Sequence, residues 1–307
     1  MIPSRRRFLA APAVVPLLSR LLAATRPSIK FPTAARDRLS VASYPFRAFI
    51  DLPRNRERDP QAKLIDLKEF PAQVAERFQI HNVELLGQHF RSTEPAYLAE
   101  LRAALKATGS HAVNIPTSAG ASLYDADAAQ RSIAVANSRK WIDAAVAIDC
   151  PSVRIHVQGA KGVTPDVDLT AASLAQVAEY GASRNVVVNL ENDNPTTEDA
   201  PFLVKVIDQV KSPWLRGLPD FCNSMLKGDE KFNYEAVTAM FQRAYNISHV
   251  KDIEVEGEKI FKVDLERTFG IAKAAGYEGY FSMEFEGQGD PYTGTQKLID
   301  ASLKALS

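Results

Sequence analysis

The stretch DLERTFGIAKAAGYEGYFSMEFE, residues 264–286, decides the fold of this 307-residue chain. Leu265, Phe269 and Ala272 recur at helical spacing, and Gly276 stands where a C-terminal cap belongs. Phe281, Met283 and Phe285 then alternate with Ser282, Glu284 and Glu286, the two-residue period of a strand. The same helix-then-strand unit can be followed back along the chain. Strand-like runs occur at 39–46, 81–87, 111–116, 152–157, 185–191 (NVVVNLE), 214–220 (WLRGLPD), 246–252 (NISHVKD) and 280–286. Helical patterns such as EPAYLAELRAALKAT and RSIAVANSRKWIDAAVAI lie between them, and Gly109 closes the first of these two. No Gly-rich phosphate loop follows the first run, as a dinucleotide-binding open sheet would need. Eight such units in this length predict a (β/α)8 barrel.

Composition narrows the partners. Lys+Arg and Asp+Glu both number 37, so the net charge is zero and nothing draws the chain to nucleic acid or to an anionic membrane. A small neutral or weakly anionic substrate suits this balance. The first residues differ from the rest: Ser4-Arg5-Arg6-Arg7-Phe8-Leu9 precede a short apolar run ending near Ala23 and Ala24. That pattern resembles a twin-arginine export signal and implies passage through the Tat machinery to the periplasm or beyond. The expected division is a signal and linker over 1–35 and a barrel over 36–307, with no stable membrane span. Cys150 and Cys222 fall at opposite ends of different strands, so no disulfide between them is expected. An oligomer is compatible with the sequence but not specified by it.

In a barrel of this kind, chemistry gathers where strands end. Strand parity points Glu191, His249 and Glu284 inward, and Asp220 ends the sixth strand, so these four should converge from four consecutive strand ends on one side of the barrel mouth. Three carboxylates and one imidazole make a mostly oxygen ligand set suited to a divalent metal, Mn²⁺ first, with Mg²⁺, Co²⁺ and Zn²⁺ as alternatives. Lys251 shares the parity of His249 and either polarises a substrate oxygen or pairs with Glu284 or Glu286. Arg154 and His156 face inward and either bind substrate or, for Arg154, pair with Glu84. His89, in GQHF, reads as a loop contact. His81 and His111 begin their strands and read as structural. The loops at 51–60 and 286–294 are candidates to close over a ligand.

At VVVNLEND, LPDFCN, HVKD and KVDLERTFGIAKAAGYEGYFSMEFEG the chain resembles the xylose isomerase-like barrel family of sugar isomerases and epimerases. The resemblance implies that Glu191, Asp220, His249 and Glu284 ligate a divalent metal, and that Glu191 and Glu284 move a proton on and off a carbon next to a carbonyl. Substrate contacts would come from Lys251, His156, Arg154, Asn223, His89 and Glu84, with a small carbohydrate as ligand. Two departures stand out. Asn223 replaces a histidine common in the family's ketose 3-epimerases, and lysines replace an arginine expected after His249. Together with the export signal they open a second reading, an exported 3-keto-glycoside lyase or hydrolase working by β-elimination. A non-catalytic carbohydrate-binding protein is the alternative of another class. The family's endonuclease branch needs a histidine-rich site that five histidines at these positions do not build.

Overall fold

The computed structural model describes residues 26–59 and 61–307. In chain order its strands are β1 (Leu39–Ala42), β2 (Asn82–Glu84), β3 (His111–Ser118), β4 (Ser152–His156), β5 (Val187–Glu191), β6 (Leu215–Leu218), β7 (Ile247–Val250), β8 (Ile253–Glu256), β9 (Lys259–Lys262) and β10 (Tyr280–Met283). Eight of them form a parallel sheet in the order β6-β5-β4-β3-β2-β1-β10-β7. Its two outer strands meet through bridges between Gly217 and Ala244 and between Asp220 and His249, so the sheet curls into a nearly closed (β/α)8 barrel. The expected fold class holds.

Around the barrel lie α1 (Phe70–Phe78), α2 (Pro95–Ala107), α3 (Ala128–Ala147), α4 (Val167–Arg184), α5 (Ala200–Val210), α6 (Glu230–Phe241), α7 (Leu265–Ala274) and α8 (Pro291–Leu306). Five of these helices start on an aspartate whose side chain accepts a first-turn N–H: Asp127, Asp166, Asp229, Asp264 and Asp290. Each cap satisfies a donor that the helix leaves free, for about 1 kcal/mol. Gly109 and Gly276 end their helices at φ of 63° and 68°, the left-handed conformation that glycine adopts without a Cβ clash. The antiparallel hairpin β8–β9 is an addition to the eight-strand reading. It turns at Gly257 and projects between β7 and α7.

Apolar strand residues pack outward against the helices. Phe281 of β10 meets Phe221, Phe269 and Tyr277 at ring separations of 6.3, 4.9 and 5.2 Å. The barrel interior carries polar side chains instead, and these must find partners because an unpaired buried amide or hydroxyl costs about 1–3 kcal/mol. Asn114 donates to Glu84 Oε1 at 2.7 Å, and Ser152 Oγ lies 2.6 Å from Asn114 Oδ1. Asn246 donates to Ser152 Oγ at 2.8 Å. A bulge helps this ladder close: Val83 pairs with Ala112 and Glu84 with Asn114, leaving Val113 as the extra residue. Val113 packs with Leu218 and Ile247, beside Asn114 rather than opposite it.

Residues before the expected boundary at residue 36 also pack on the barrel. The Tyr245 hydroxyl accepts from Ile29 N–H at 2.9 Å and donates to Pro27 C=O at 3.0 Å. Phe31 sets its ring against Tyr245 and Tyr280 at 5.4 and 5.7 Å, covering the end of the barrel remote from the strand C-termini. The reason is local: interior aromatics at the start of β7 and β10 need a lid, and residues 27–31 supply it. Cys150 and Cys222 are both buried and free. No helix among the described residues is long and apolar enough to cross a membrane, and the expected signal lies outside them.

Tyr245→Phe removes both hydrogen bonds to this segment while keeping the ring. Urea titration is expected to show a loss of about 1–2 kcal/mol, with faster proteolysis near residue 30. An unchanged midpoint and cleavage rate would mean the segment does not cover the barrel in solution.

Candidate metal centre and cavity

Glu191 is the last residue of β5, and Glu284 follows β10 directly, its N–H continuing the ladder to Val250 C=O at 3.0 Å. Asp220 stands two residues past β6, held at the seam by its bridge to His249. Its Oδ1 accepts the N–H groups of Cys222 and Asn223 at 2.8 and 2.6 Å. That local turn commits one oxygen and leaves Oδ2 buried with no hydrogen-bond partner. Ligand atoms of Glu191, Asp220, His249 and Glu284 all lie within 4.8 Å of one another, and all four residues are buried. The structure therefore brings together the four residues expected to converge.

His249 organises the group. Its Nδ1 lies 2.9 Å from Glu191 Oε1 and 3.1 Å from Glu284 Oε2. Its Nε2 lies 3.0 Å from Glu84 Oε2. A histidine whose outer nitrogen is held by a carboxylate has its ring plane and tautomer fixed, which is how ligating histidines are oriented. Burial pulls the imidazole pKa down, yet Glu191, Glu284 and Glu84 outweigh it and hold the pKa well above its ordinary value. Burial pushes Asp220 up to about 8, with Glu191 and Glu284 adding to the rise. Glu284 is buried too, but His249 and Lys251 bring it down to about 2. A divalent cation fits this set: a buried carboxylate oxygen without a donor, two further carboxylates, and an oriented imidazole nitrogen converge on one point.

Above the cluster opens a cavity of about 580 Å³ whose walls include Glu191, His249, Glu284, Lys251, Arg154 and His156. Lys251 is fully buried. It donates to Asn223 Oδ1 at 2.9 Å and to Glu254 of the β8–β9 hairpin at 3.0 Å, with Glu286 and Glu284 at 3.5 and 3.7 Å. Asn223 in turn donates to Glu191 Oε1 at 3.3 Å. Arg154 does not pair with Glu84. Its guanidinium lies 3.0 Å from Glu191 and bonds Asp193, because β4 places it beside β5 rather than across the barrel from β2. Glu84 is instead taken up by His249 and Asn114 beneath the cavity floor.

His89 is the other correction. The 3-10 turn Gly87–His89 folds it behind β2, where Nδ1 lies 2.9 Å from Ser43 Oγ, and it does not line the cavity. His156 does line it. Its Nδ1 lies 2.6 Å from Glu198 Oε2, and Glu198 Oε1 accepts the Val157 N–H at 2.7 Å. His156, Asp193 and Glu198 could also gather around a cation, but Arg154 already stands there, 3.6 Å from Glu198. Sequence reading missed Asp193, Glu198 and Glu254. The acid-rich stretch ENDNPTTED after β5 was the available signal for the first two.

Comparison with known proteins agrees with this fold. The family model described as xylose isomerase-like TIM barrel matches residues 72–306. D-allulose 3-epimerase from Methylomonas sp., solved with D-allulose, superposes with a TM-score of 0.64 at 16% identity, over 89% of this chain and 98% of that one. The apo 3-keto-D-glucoside 4-epimerase from E. coli gives 0.62 at 13%, over 86% and 97%. A xylose isomerase-like TIM barrel protein from Mycobacterium smegmatis in complex with magnesium gives 0.63 at 14%, over 89% and 99%. At these identities the likeness establishes the fold. No curated protein matches the sequence.

Burial lowers the His89 pKa to about 4, helped by the positive charge of Arg47. The folded protein thus keeps His89 neutral where the unfolded chain, near pH 6.5, already binds a proton. Stability from this residue is full above about pH 6.5 and is lost as pH falls toward 4, by about 3 kcal/mol in total. His89→Gln is expected to remove this part of the slope in chemical denaturation at pH 7, 5.5 and 4.5. An unchanged slope would place the sensitivity elsewhere.

Proposed function

The chain belongs to the xylose isomerase-like TIM barrel family, and on that premise we propose that it is a divalent-metal-dependent isomerase or epimerase of a sugar derivative, working by proton abstraction next to a carbonyl. The observation that carries this reading is the convergence of Glu191, Asp220, His249 and Glu284 under an open cavity, with Asp220 Oδ2 buried and unpartnered. Mn²⁺ remains the ion we favour on the ligand set, which would be held by those four residues. When bound, such an ion supplies Lewis-acid stabilisation of the charge that builds on the substrate oxygen as the carbon loses its proton.

The remaining chemistry belongs to the chain. Glu191 and Glu284 reach the cavity from β5 and β10, strands on either side of His249, so their carboxylates address a bound carbon from two directions. One removes the proton and the other returns it, inverting the centre. Lys251, positively charged and facing the cavity, is placed to hold a substrate oxygen. Asn223 links Lys251 to Glu191 and keeps the ammonium and the carboxylate in register.

A second reading is favoured by one observation. Asn223, at the position where the family's ketose 3-epimerases commonly carry a histidine, lines the cavity and is tied to Lys251 and Glu191. That departure suits a 3-keto-glycoside, with the same base driving β-elimination of the substituent. Export through the Tat pathway fits that reading, since glycosides are met outside the cell.

Incubation in ²H₂O with D-allulose and with methyl 3-keto-β-D-glucoside tests the reaction class by mass spectrometry of the recovered sugar. Deuterium is expected at the carbon next to the carbonyl, and Glu191→Gln is expected to slow its entry by about 10²–10⁴-fold. Failure of both sugars to exchange, at saturating Mn²⁺, would count against the proposal.

A further inference from the structure

The two ends of the cavity differ in kind. Around the metal cluster the walls are charged. The opposite wall, built from the ends of β2 and β3 and from α3, carries Leu86, Gly87, Pro116 and Trp141, with Thr117 and Ser118 as neutral hydroxyls. Trp141 is held firmly. Its ring meets Phe90 edge-on at 5.5 Å and 90°, and its tip presses on Gly87, where an added Cβ would lie 2.8 Å from Trp141 Cη2 and 2.8 Å from Thr117 Oγ1. Gly87 is therefore glycine because the indole occupies the space a side chain would need. Trp141 is only partly buried, and what it leaves open faces the cavity.

A flat, rigid, partly exposed indole beside neutral hydroxyls suits a ring with an apolar face. It offers nothing to a phosphate. Arg54, a cation that also lines the cavity, turns one N–H of each terminal nitrogen to the C=O groups of Phe90 and Arg91. From this arrangement we infer that the substrate is a glycoside whose sugar ring sits at the charged end while its ring substituent, an aryl group or the C–H face of a second sugar, lies on Trp141. Trp141 is then the specificity-determining residue, and Gly87 sets its position. The inference rests on the proposed chemistry at the charged end only for where the sugar carbonyl points.

The chain has two tryptophans, and Trp214 is buried at the other end of the barrel, packed with Ala182 and Val187. Equilibrium titration of the Glu191→Gln protein, in which proton transfer is expected to be slow, followed by tryptophan fluorescence therefore reports on Trp141. With Mn²⁺ present, phenyl 3-keto-β-D-glucoside is expected to shift the emission and to bind about tenfold more tightly than the methyl analogue. A 3-keto disaccharide run beside it tells an aryl preference from a second-sugar preference. Trp141→Ala should bring the phenyl-to-methyl affinity ratio close to one, read by calorimetry. Gly87→Ala, which displaces the indole, should lower the same ratio and serves if the first variant fails to fold. A ratio near one with Trp141 in place, a ratio unmoved by both variants, or tighter binding of D-allulose 6-phosphate than of the phenyl glycoside would overturn the inference. Exchange failing with every sugar while the fluorescence ratio holds would instead indict the proposed reaction.

Discussion

His249 stands between three buried carboxylates, and the upper half of the barrel is arranged around that contact. Glu84 holds one ring nitrogen, while Glu191 and Glu284 face the other at 2.9 and 3.1 Å. Isolated charges in a protein interior cost several kcal/mol each, so such a group persists only where cations answer the acids. Within the chain Arg154 answers Glu191 at 3.0 Å and Lys251 stands 3.7 Å from Glu284. Asp220 Oδ2 is left without a donor, and that is the position a divalent ion would complete.

The layers below make this arrangement possible. Glu84 is kept in place by Asn114, which is tied to Ser152 and through it to Asn246. These contacts link β2, β3 and β4 to the residue that leads into β7, so the network beneath the site also ties these strands together. The bulge at Val113 is part of the same device, since it brings Asn114 level with Glu84. At the seam, where β6 and β7 meet only through isolated bridges, Asp220 and His249 are themselves one of the bridging pairs. Closure of the sheet and assembly of the site are the same event.

Much of this was legible in the sequence because strand parity is a local property. Alternation along NVVVNLE, NISHVKD and YFSMEFE is enough to turn Glu191, His249 and Glu284 inward, and consecutive strands of a barrel are neighbours. What parity cannot give is the partner of a long side chain. Arg154 was paired with Glu84 as one option because both face the interior, yet the loop after β5 brings Asp193 and Glu198 nearer. His89 was read as a loop contact because a 3-10 turn is invisible to periodicity, and that turn buries it behind β2. Trp141 belongs to a helix whose pattern reads as ordinary packing, so its reach to Gly87 needed coordinates. The hairpin β8–β9 escaped because its strands are short: Ile253 and Val255 alternate with Glu254 and Glu256 over only four residues, and the buried position is Glu254.

A carboxylate site, a charged floor and an apolar far wall meet in one cavity, which we propose holds a substituted sugar. The account depends first on the ion. Protein stripped of metal by chelation and then titrated with Mn²⁺ in a calorimeter, followed by elemental analysis after gel filtration, tests this directly. One tightly held equivalent per chain is predicted, with a raised melting temperature. Asp220→Asn, which keeps the oxygen that accepts from Cys222 and Asn223, is predicted to weaken that binding at least about tenfold. No uptake of Mn²⁺, Mg²⁺, Co²⁺ or Zn²⁺ by the wild type, or uptake indifferent to Asp220→Asn, would contradict the assignment of this cluster as a metal centre.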